Sequence, residues 1–181
     1  TIKSLLKKKD KKISLLDLGV GSGCLIISIL LFLKKNKVSA LGVDISKKAL
    51  DTADKNLKKF NLEKKLKLKK SDWFSEVHGK FDVIISNPPY IKTSDIKNLD
   101  KDVKFYDPHI ALNGGFKGLS CFERIATDAK FYLKQNGIIL LEIGFGQINT
   151  VKKIFEEMGY KIFLKEKDLQ GITRVVGFNL K

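Results

Sequence analysis

The sequence predicts an α/β domain: a seven-stranded, mostly parallel sheet with an antiparallel C-terminal strand and helices on both faces. Three observations predict it. Short apolar runs of strand length alternate with longer amphipathic stretches, the pattern of βαβ units. Clusters of glycine, asparagine and proline punctuate the boundaries. A length of 181 residues, 43% hydrophobic and 30% charged, suits one domain over residues 1–181 with a substantial core.

Ser14 to Leu18 reads as a first, buried strand, and Cys24 to Leu33 as the helix that follows. Val38 to Asp44 is a second strand ending in an acid. Ser46 to Phe60 is a helix, with Ser46 as its cap and Ala49, Leu50, Ala53, Leu57 and Phe60 as its apolar stripe. Leu66 to Lys70 alternates apolar residues with lysine, as an edge strand does. Phe81 to Ser86 is a fourth strand, stopped by Asn87-Pro88-Pro89. Tyr90 to Phe116 has no period and predicts a long loop. Cys121 to Leu133 is a helix, and Ile138 to Ile143 a strand opened by a turn at Asn136-Gly137. Thr150 to Met158 is a helix closed near Gly159, and Tyr160 to Lys165 pairs with Arg174 to Asn179 through a turn at Gly171.

Composition excludes several classes. The longest apolar stretch, Cys24 to Leu33, is far shorter than the ~18 residues of a membrane span. Cys24 and Cys121 cannot form a disulfide framework, and with only His78 and His109 no metal site is expected. No signal peptide is visible, so the expected compartment is the cytoplasm. The net charge of +15 invites a nucleic-acid reading. Only Arg124 and Arg174 are arginines, so 33 of the 35 basic residues are lysine, spread along the whole chain. Lysine lacks the planar fork preferred for base and phosphate recognition. Direct nucleic-acid binding is therefore not expected, although the net charge leaves it open.

Asp17-Leu18-Gly19-Val20-Gly21-Ser22-Gly23 lies between the first strand and the first helix. Its glycines permit a tight turn and close backbone approach to a ligand. A dinucleotide fingerprint would need a third glycine where Cys24 stands. The pattern instead suits a loop facing an amino-acid carboxylate and a ribose. Asp44, 25 residues after Gly19 at the end of the second strand, can accept hydrogen bonds from ribose hydroxyls. It could also serve the start of the Ser46 helix. After the third strand, Asp72 can bond an adenine amine and Trp73 can offer its face to the ring, or Trp73 can anchor the loop to the core.

Asn87-Pro88-Pro89-Tyr90 follows the fourth strand. Prolines stiffen the backbone and lack N–H groups, which leaves their carbonyls free to accept. Asn87 adds a side-chain acceptor and Tyr90 an aromatic wall. Together they can grip a planar –NH2 group, two acceptors taking its hydrogens while a ring packs on its π face. Such nitrogens are weak nucleophiles because the lone pair is delocalised. Accepting both hydrogens enriches the nitrogen, and holding it in line with the sulfonium methyl of S-adenosylmethionine supplies proximity. Asn87, Pro88 and Tyr90 are the candidate catalytic residues, and Asn87, Pro88, Pro89 and Tyr90 the candidate substrate pocket.

These elements together resemble the Rossmann-like class I S-adenosylmethionine-dependent methyltransferases. Asp102-Val103, Asp107-Pro108-His109-Ile110-Ala111-Leu112, Gly114-Gly115 and Gly118-Leu119 look like the segment that follows Asn-Pro-Pro-Tyr in the HemK-type release factor glutamine methyltransferases. Leu140-Leu141-Glu142-Ile143-Gly144 with Gln147, and Asp168-Leu169-Gln170-Gly171 with Arg174, fit the same family. The resemblance implies methyl transfer from S-adenosylmethionine to the side-chain amide nitrogen of the glutamine in a release factor's Gly-Gly-Gln motif. It implies that Gly19, Val20, Gly21, Ser22 and Gly23 line the methionine end of the cofactor. Asp44 then binds ribose, Trp73 borders adenine, and Asn87 meets cofactor and substrate. Asp107 stands where the family has a glutamate, one methylene longer. The family also carries a helical N-terminal domain, whereas about a dozen residues precede the first strand here, so that domain is expected to be missing from this chain.

A monomer is expected, acting on a release factor as its protein partner and on no membrane. Two alternatives stay open at this point: the same amine chemistry on adenine or guanine in DNA or RNA, and a domain that binds cofactor or partner without catalysis.

Overall fold

The computed structural model describes residues 12–33, 38–98 and 109–181. The strands are β1 (Ile13–Leu18), β2 (Val38–Asp44), β3 (Leu66–Lys70), β4 (Phe81–Ser86), β5 (Leu133–Glu142), β6 (Tyr160–Lys167) and β7 (Thr173–Leu180). The helices are α1 (Cys24–Phe32), α2 (Lys47–Lys59), the single turn α3 (His109–Leu112), α4 (Ser120–Asp128) and α5 (Ile148–Glu157). The seven strands form one sheet in the order β3-β2-β1-β4-β5-β7-β6. The chain divides into two compact units, Thr1–Ser86 with Tyr132–Gly137, and Asn87–Phe131 with Ile138–Lys181.

In the first unit β1 pairs in parallel with β2 on one side and β4 on the other. A central strand of a parallel sheet has both faces covered as well as both edges paired, and Leu15, Leu16 and Leu18 are fully buried. Burying each contributes about 1.5–3 kcal/mol. α1 is apolar nearly all round and buries Ile26, Ile27 and Leu30. α2 follows Ser46, whose hydroxyl accepts from the Ala49 N–H at 3.2 Å, and buries Leu50, Ala53 and Leu57. Phe60 lies just past its end and is exposed, so the apolar stripe is one residue shorter than its pattern predicts. β3 is an edge strand, and Lys67, Lys69 and Lys70 give that edge the charge that opposes pairing with another chain.

The start of β4 is pinned by charge. Asp82 accepts from the Ser14 N–H and hydroxyl, each at 2.8 Å, and from Lys134 at 2.6 Å. Burial opposes ionisation of Asp82, but the bonds from Lys134 and Ser14 outweigh it and hold the carboxyl below its ordinary range. A group depressed in this way stabilises the fold only while charged. Lys134→Met therefore lowers the stability measured by urea unfolding at neutral pH by up to about 1 kcal/mol, since the pair is partly exposed. The difference from the parent is full above the ordinary carboxylate range and fades as pH falls through the depressed one. A difference that grew on acidification would contradict this assignment.

In the second unit β7 runs antiparallel to both β5 and β6, which makes it the reversed strand that the terminal hairpin predicts. Phe155, Tyr160 and Phe178 are fully buried, and the Phe155 and Phe178 rings stack with centroids 4.2 Å apart. Two local differences from the sequence reading stand out. β5 begins at Leu133, not Ile138, because Asn136 takes a left-handed φ of 61° within the strand where a turn was expected. The segment expected to be an unbroken loop contains a 3-10 turn at Asp95–Asn98 and α3. Asp102-Val103 and Asp107-Pro108 lie outside the described residues. Among the described residues no helix is long and apolar enough to cross a membrane, and no group of three or more His, Cys, Asp or Glu could hold a metal ion.

Candidate functional site

The predicted residues fall into two clusters, one in each unit. In the first unit, Gly19, Gly21 and Gly23 have φ values of 72°, 55° and 81°, a left-handed alternation that strongly favours glycine. The Gly19 and Val20 N–H groups both donate to the Val43 carbonyl at 2.9 Å, which lays the loop over the end of β2. Gly42 makes room for this: a Cβ there would lie 2.8 Å from Val20 Cγ2. At Gly19 and Gly21 a Cβ would meet nothing within 4 Å among the described residues, so the glycines answer a backbone requirement and leave open space beside the loop.

Asp44 is the hub of this cluster. Its Oδ2 accepts from the Gly21 N–H at 2.9 Å and its Oδ1 from the Ser46 N–H at 2.8 Å. It thus serves the glycine loop and the approach to α2 at once, and each oxygen keeps a further lone pair. The next strand connects here as well, since the Ser71 N–H donates to the Asp44 carbonyl at 3.0 Å. Ser71 then organises the turn, its hydroxyl donating to the Trp73 carbonyl at 2.8 Å and accepting from the Glu76 N–H at 3.0 Å. Asp72 is exposed, and Trp73 is half-buried at φ 52°. A bulky residue in that region costs about 1–3 kcal/mol and persists only where its surroundings enforce it. The core place is taken by Phe74, 3% exposed and stacked on Tyr132 at 4.6 Å.

Two residues of this cluster were not singled out from the sequence. Asn56, on α2, donates from Nδ2 to the Ser22 carbonyl at 2.9 Å and so fixes the loop from 34 positions away. The sequence marks Asp17 only as the acid preceding the loop. It is 1% exposed, and its Oδ2 has no hydrogen-bond partner among the described residues. Burial, with the Asp44 charge adding to it, pushes its carboxyl well above the ordinary carboxylate range. An acid inside the apolar run Leu15-Leu16-Asp17-Leu18 was the local signal that could have marked it.

The second cluster begins where the chain leaves β4. Ser86 closes that strand beside Leu18, donating from its buried hydroxyl to the Leu18 carbonyl at 2.7 Å. Asn87 follows and is exposed, Pro88 is buried, and Pro89 and Tyr90 are half-buried. A rigid, anchored backbone therefore presents the Asn87 amide outward. The wall behind is built from glycines. A Cβ on Gly114 would lie 2.8 Å from the Pro89 carbonyl oxygen, and one on Gly118 would collide with the Tyr90 carbonyl. Ile91 and Gly114 extend the contact, with Ile91 N–H donating to Leu112 at 3.1 Å and Gly114 N–H to Ile91 at 2.8 Å. Burial raises the Tyr90 hydroxyl above its ordinary range, with the Glu142 charge adding and Arg174 opposing. Gln147, noted in the sequence only as part of a motif, donates to the Tyr90 carbonyl at 3.1 Å.

Comparison with known proteins bears on the family and the fold. The family model of the methyltransferase small domain matches residues 2–103. The chain is 43% identical over 175 residues to a release factor glutamine methyltransferase of Streptococcus pneumoniae, covering 95% of this chain and 61% of that protein. It is 40% identical over 164 residues to the protein of the same name from Agrobacterium fabrum, covering 91% of this chain and 56% of the relative. The chain thus spans little more than half the length of these relatives. A methyltransferase from Pyrococcus furiosus shares the fold, with a TM-score of 0.68 at 18% identity over 98% of this chain and 79% of that one.

The first cluster fits S-adenosylmethionine on its own chemistry. The Asp17 oxygen, without a hydrogen-bond partner among the described residues, suits a cation, and the spare lone pairs of Asp44 suit hydroxyls. The match over residues 2–103 covers more than half of the chain, so this chain belongs to the methyltransferase small domain family, and its cofactor is S-adenosylmethionine.

Proposed function

We propose that this chain methylates the side-chain amide nitrogen of the glutamine in the Gly-Gly-Gln motif of peptide chain release factors. The observation that carries the reading is the acceptor loop itself: an exposed Asn87 ahead of a buried Pro88 and a half-buried, glycine-walled Pro89-Tyr90. The names of the relatives favour a release factor as the substrate. The same proposal places the chain in the cytoplasm as a monomer.

S-adenosylmethionine supplies an electrophilic methyl group carried on a sulfonium. Asp44 accepts from ribose hydroxyls while its bonds to Gly21 and Ser46 hold it still. Asp17, charged once a cation comes near, balances the amino group of the methionine end. Gly19 to Gly23 line that end, and Asp72 and Trp73 border the adenine. On the substrate side, Asn87 Oδ1 and the Pro88 carbonyl accept the two N–H groups of the glutamine amide, and the Tyr90 ring covers its plane. Pro89 keeps the pair rigid, so little reorganisation remains at the moment of reaction.

Tritiated methyl transfer tests this, with the full chain offered release factor, DNA and ribosomal RNA in parallel. Label enters the release factor. Label in nucleic acid alone would move the chemistry to an exocyclic base amine, and S-adenosylmethionine binding with no transfer to any acceptor would leave a non-catalytic domain.

A further inference from the structure

We propose that Gln147 is the positioning residue of the acceptor loop, fixing the Tyr90 main chain and ring so that a planar amide finds a single seat; the inference rests on the reading just given. Gln147 stands at the N-cap of α5 but makes no side-chain cap there. Its amide turns instead to three backbone groups from three segments. Oε1 accepts from the Gly144 N–H at 2.8 Å. Nε2 donates to the Tyr90 carbonyl and to the Gly118 carbonyl, both at 3.1 Å. Both amide hydrogens and the amide oxygen are thereby engaged, a set that a side-chain amide can supply and a carboxylate or hydroxyl cannot.

The packing makes this bracket rigid. A Cβ on Gly144 would lie 2.8 Å from Gln147 Oε1 and 2.9 Å from Tyr90 Cδ2, so side chain and ring press on the same glycine. On Gly118 a Cβ would lie 3.2 Å from Gln147 Nε2. Gln147 therefore sets where the Tyr90 carbonyl stands and, through Gly144, where its ring stands. It touches neither substrate nor cofactor in this account and acts through Tyr90. Small displacements of a support are costly because rate depends steeply on the approach geometry.

The test ranks two near-isosteric variants of the full chain. Gln147→Met removes all three bonds without adding charge. Gln147→Glu keeps the shape and the acceptor to Gly144 but turns an oxygen toward two carbonyls. A space-filling role would leave the Glu variant nearest to the parent. The positioning role predicts the reverse order, with kcat on release factor down about 10-fold in Gln147→Met and about 100-fold in Gln147→Glu, and KM for the methyl donor within about 3-fold. Thermal melts accompany the assays. If Gln147→Glu fails to fold, Gln147→Met decides by the same split between kcat and KM. Both folded variants within about twofold of the parent would overturn the inference while leaving the amide reading intact. A parent that transfers no methyl to release factor would sink that reading and this inference with it.

Discussion

Asn87→Ala lowers turnover on release factor by about 100-fold or more while leaving cofactor affinity within a few-fold of the parent. The asymmetry follows from what Asn87 does. Its exposed side chain follows a β4 end fixed by the Ser86 to Leu18 bond, and it is followed by the buried Pro88. An acceptor held in this way contributes most when the substrate nitrogen rehybridises and its N–H groups become stronger donors. Truncation removes that stabilisation without opening a core cavity, because the side chain is not buried. Steady-state kinetics with release factor, paired with calorimetric titration of S-adenosylmethionine, separate the two effects. Turnover within a few-fold of the parent would end the amide-gripping role.

Asp44→Ala shows the opposite split, with its main effect on cofactor binding. Loss of charge-assisted hydrogen bonds weakens affinity by about 1.5–3 kcal/mol, roughly 10- to 100-fold in Kd. Here the structure adds a second cause to the one the sequence suggested. The carboxylate also holds the Gly21 and Ser46 N–H groups, so its removal frees the glycine loop and the approach to α2 together. The expected loss therefore lies toward the upper end of that range. Calorimetry on the variant decides it, and a Kd within about twofold of the parent would show that Asp44 serves only the local turn.

What could be read in the sequence, and what could not, divides along physical lines. The strands were legible because a parallel strand whose two faces are both covered is mostly apolar, as Leu15, Leu16 and Leu18 show. The glycine loop was legible because left-handed φ values at Gly19, Gly21 and Gly23 restrict the residues that can stand there. Asp44 was legible from its position at a strand end. The supports were not. Asn56 reaches Ser22 across 34 residues, and Gln147 reaches Tyr90 across 57, and neither bond has a local signature. Gly42 looks like an ordinary strand residue until Val20 is laid against it. The Asn136-Gly137 pair carries a turn signal, yet its left-handed residue is absorbed within β5. Trp73 left two uses open from sequence, and the structure gives the core place beside Tyr132 to Phe74. Local pattern records which conformations a segment tolerates, whereas bonds between loops depend on the assembled sheet.

The chemistry of a gripped planar amide is tested most directly by locating the transferred methyl group. Release factor treated with the full chain and S-adenosylmethionine is digested and fragmented by tandem mass spectrometry. One methyl group is expected on the side-chain nitrogen of the Gly-Gly-Gln glutamine, and about a hundredth as much or less after Asn87→Ala over the same time. A methyl group on a lysine or a carboxylate instead, or an unmodified glutamine beside methylated nucleic acid, would contradict it.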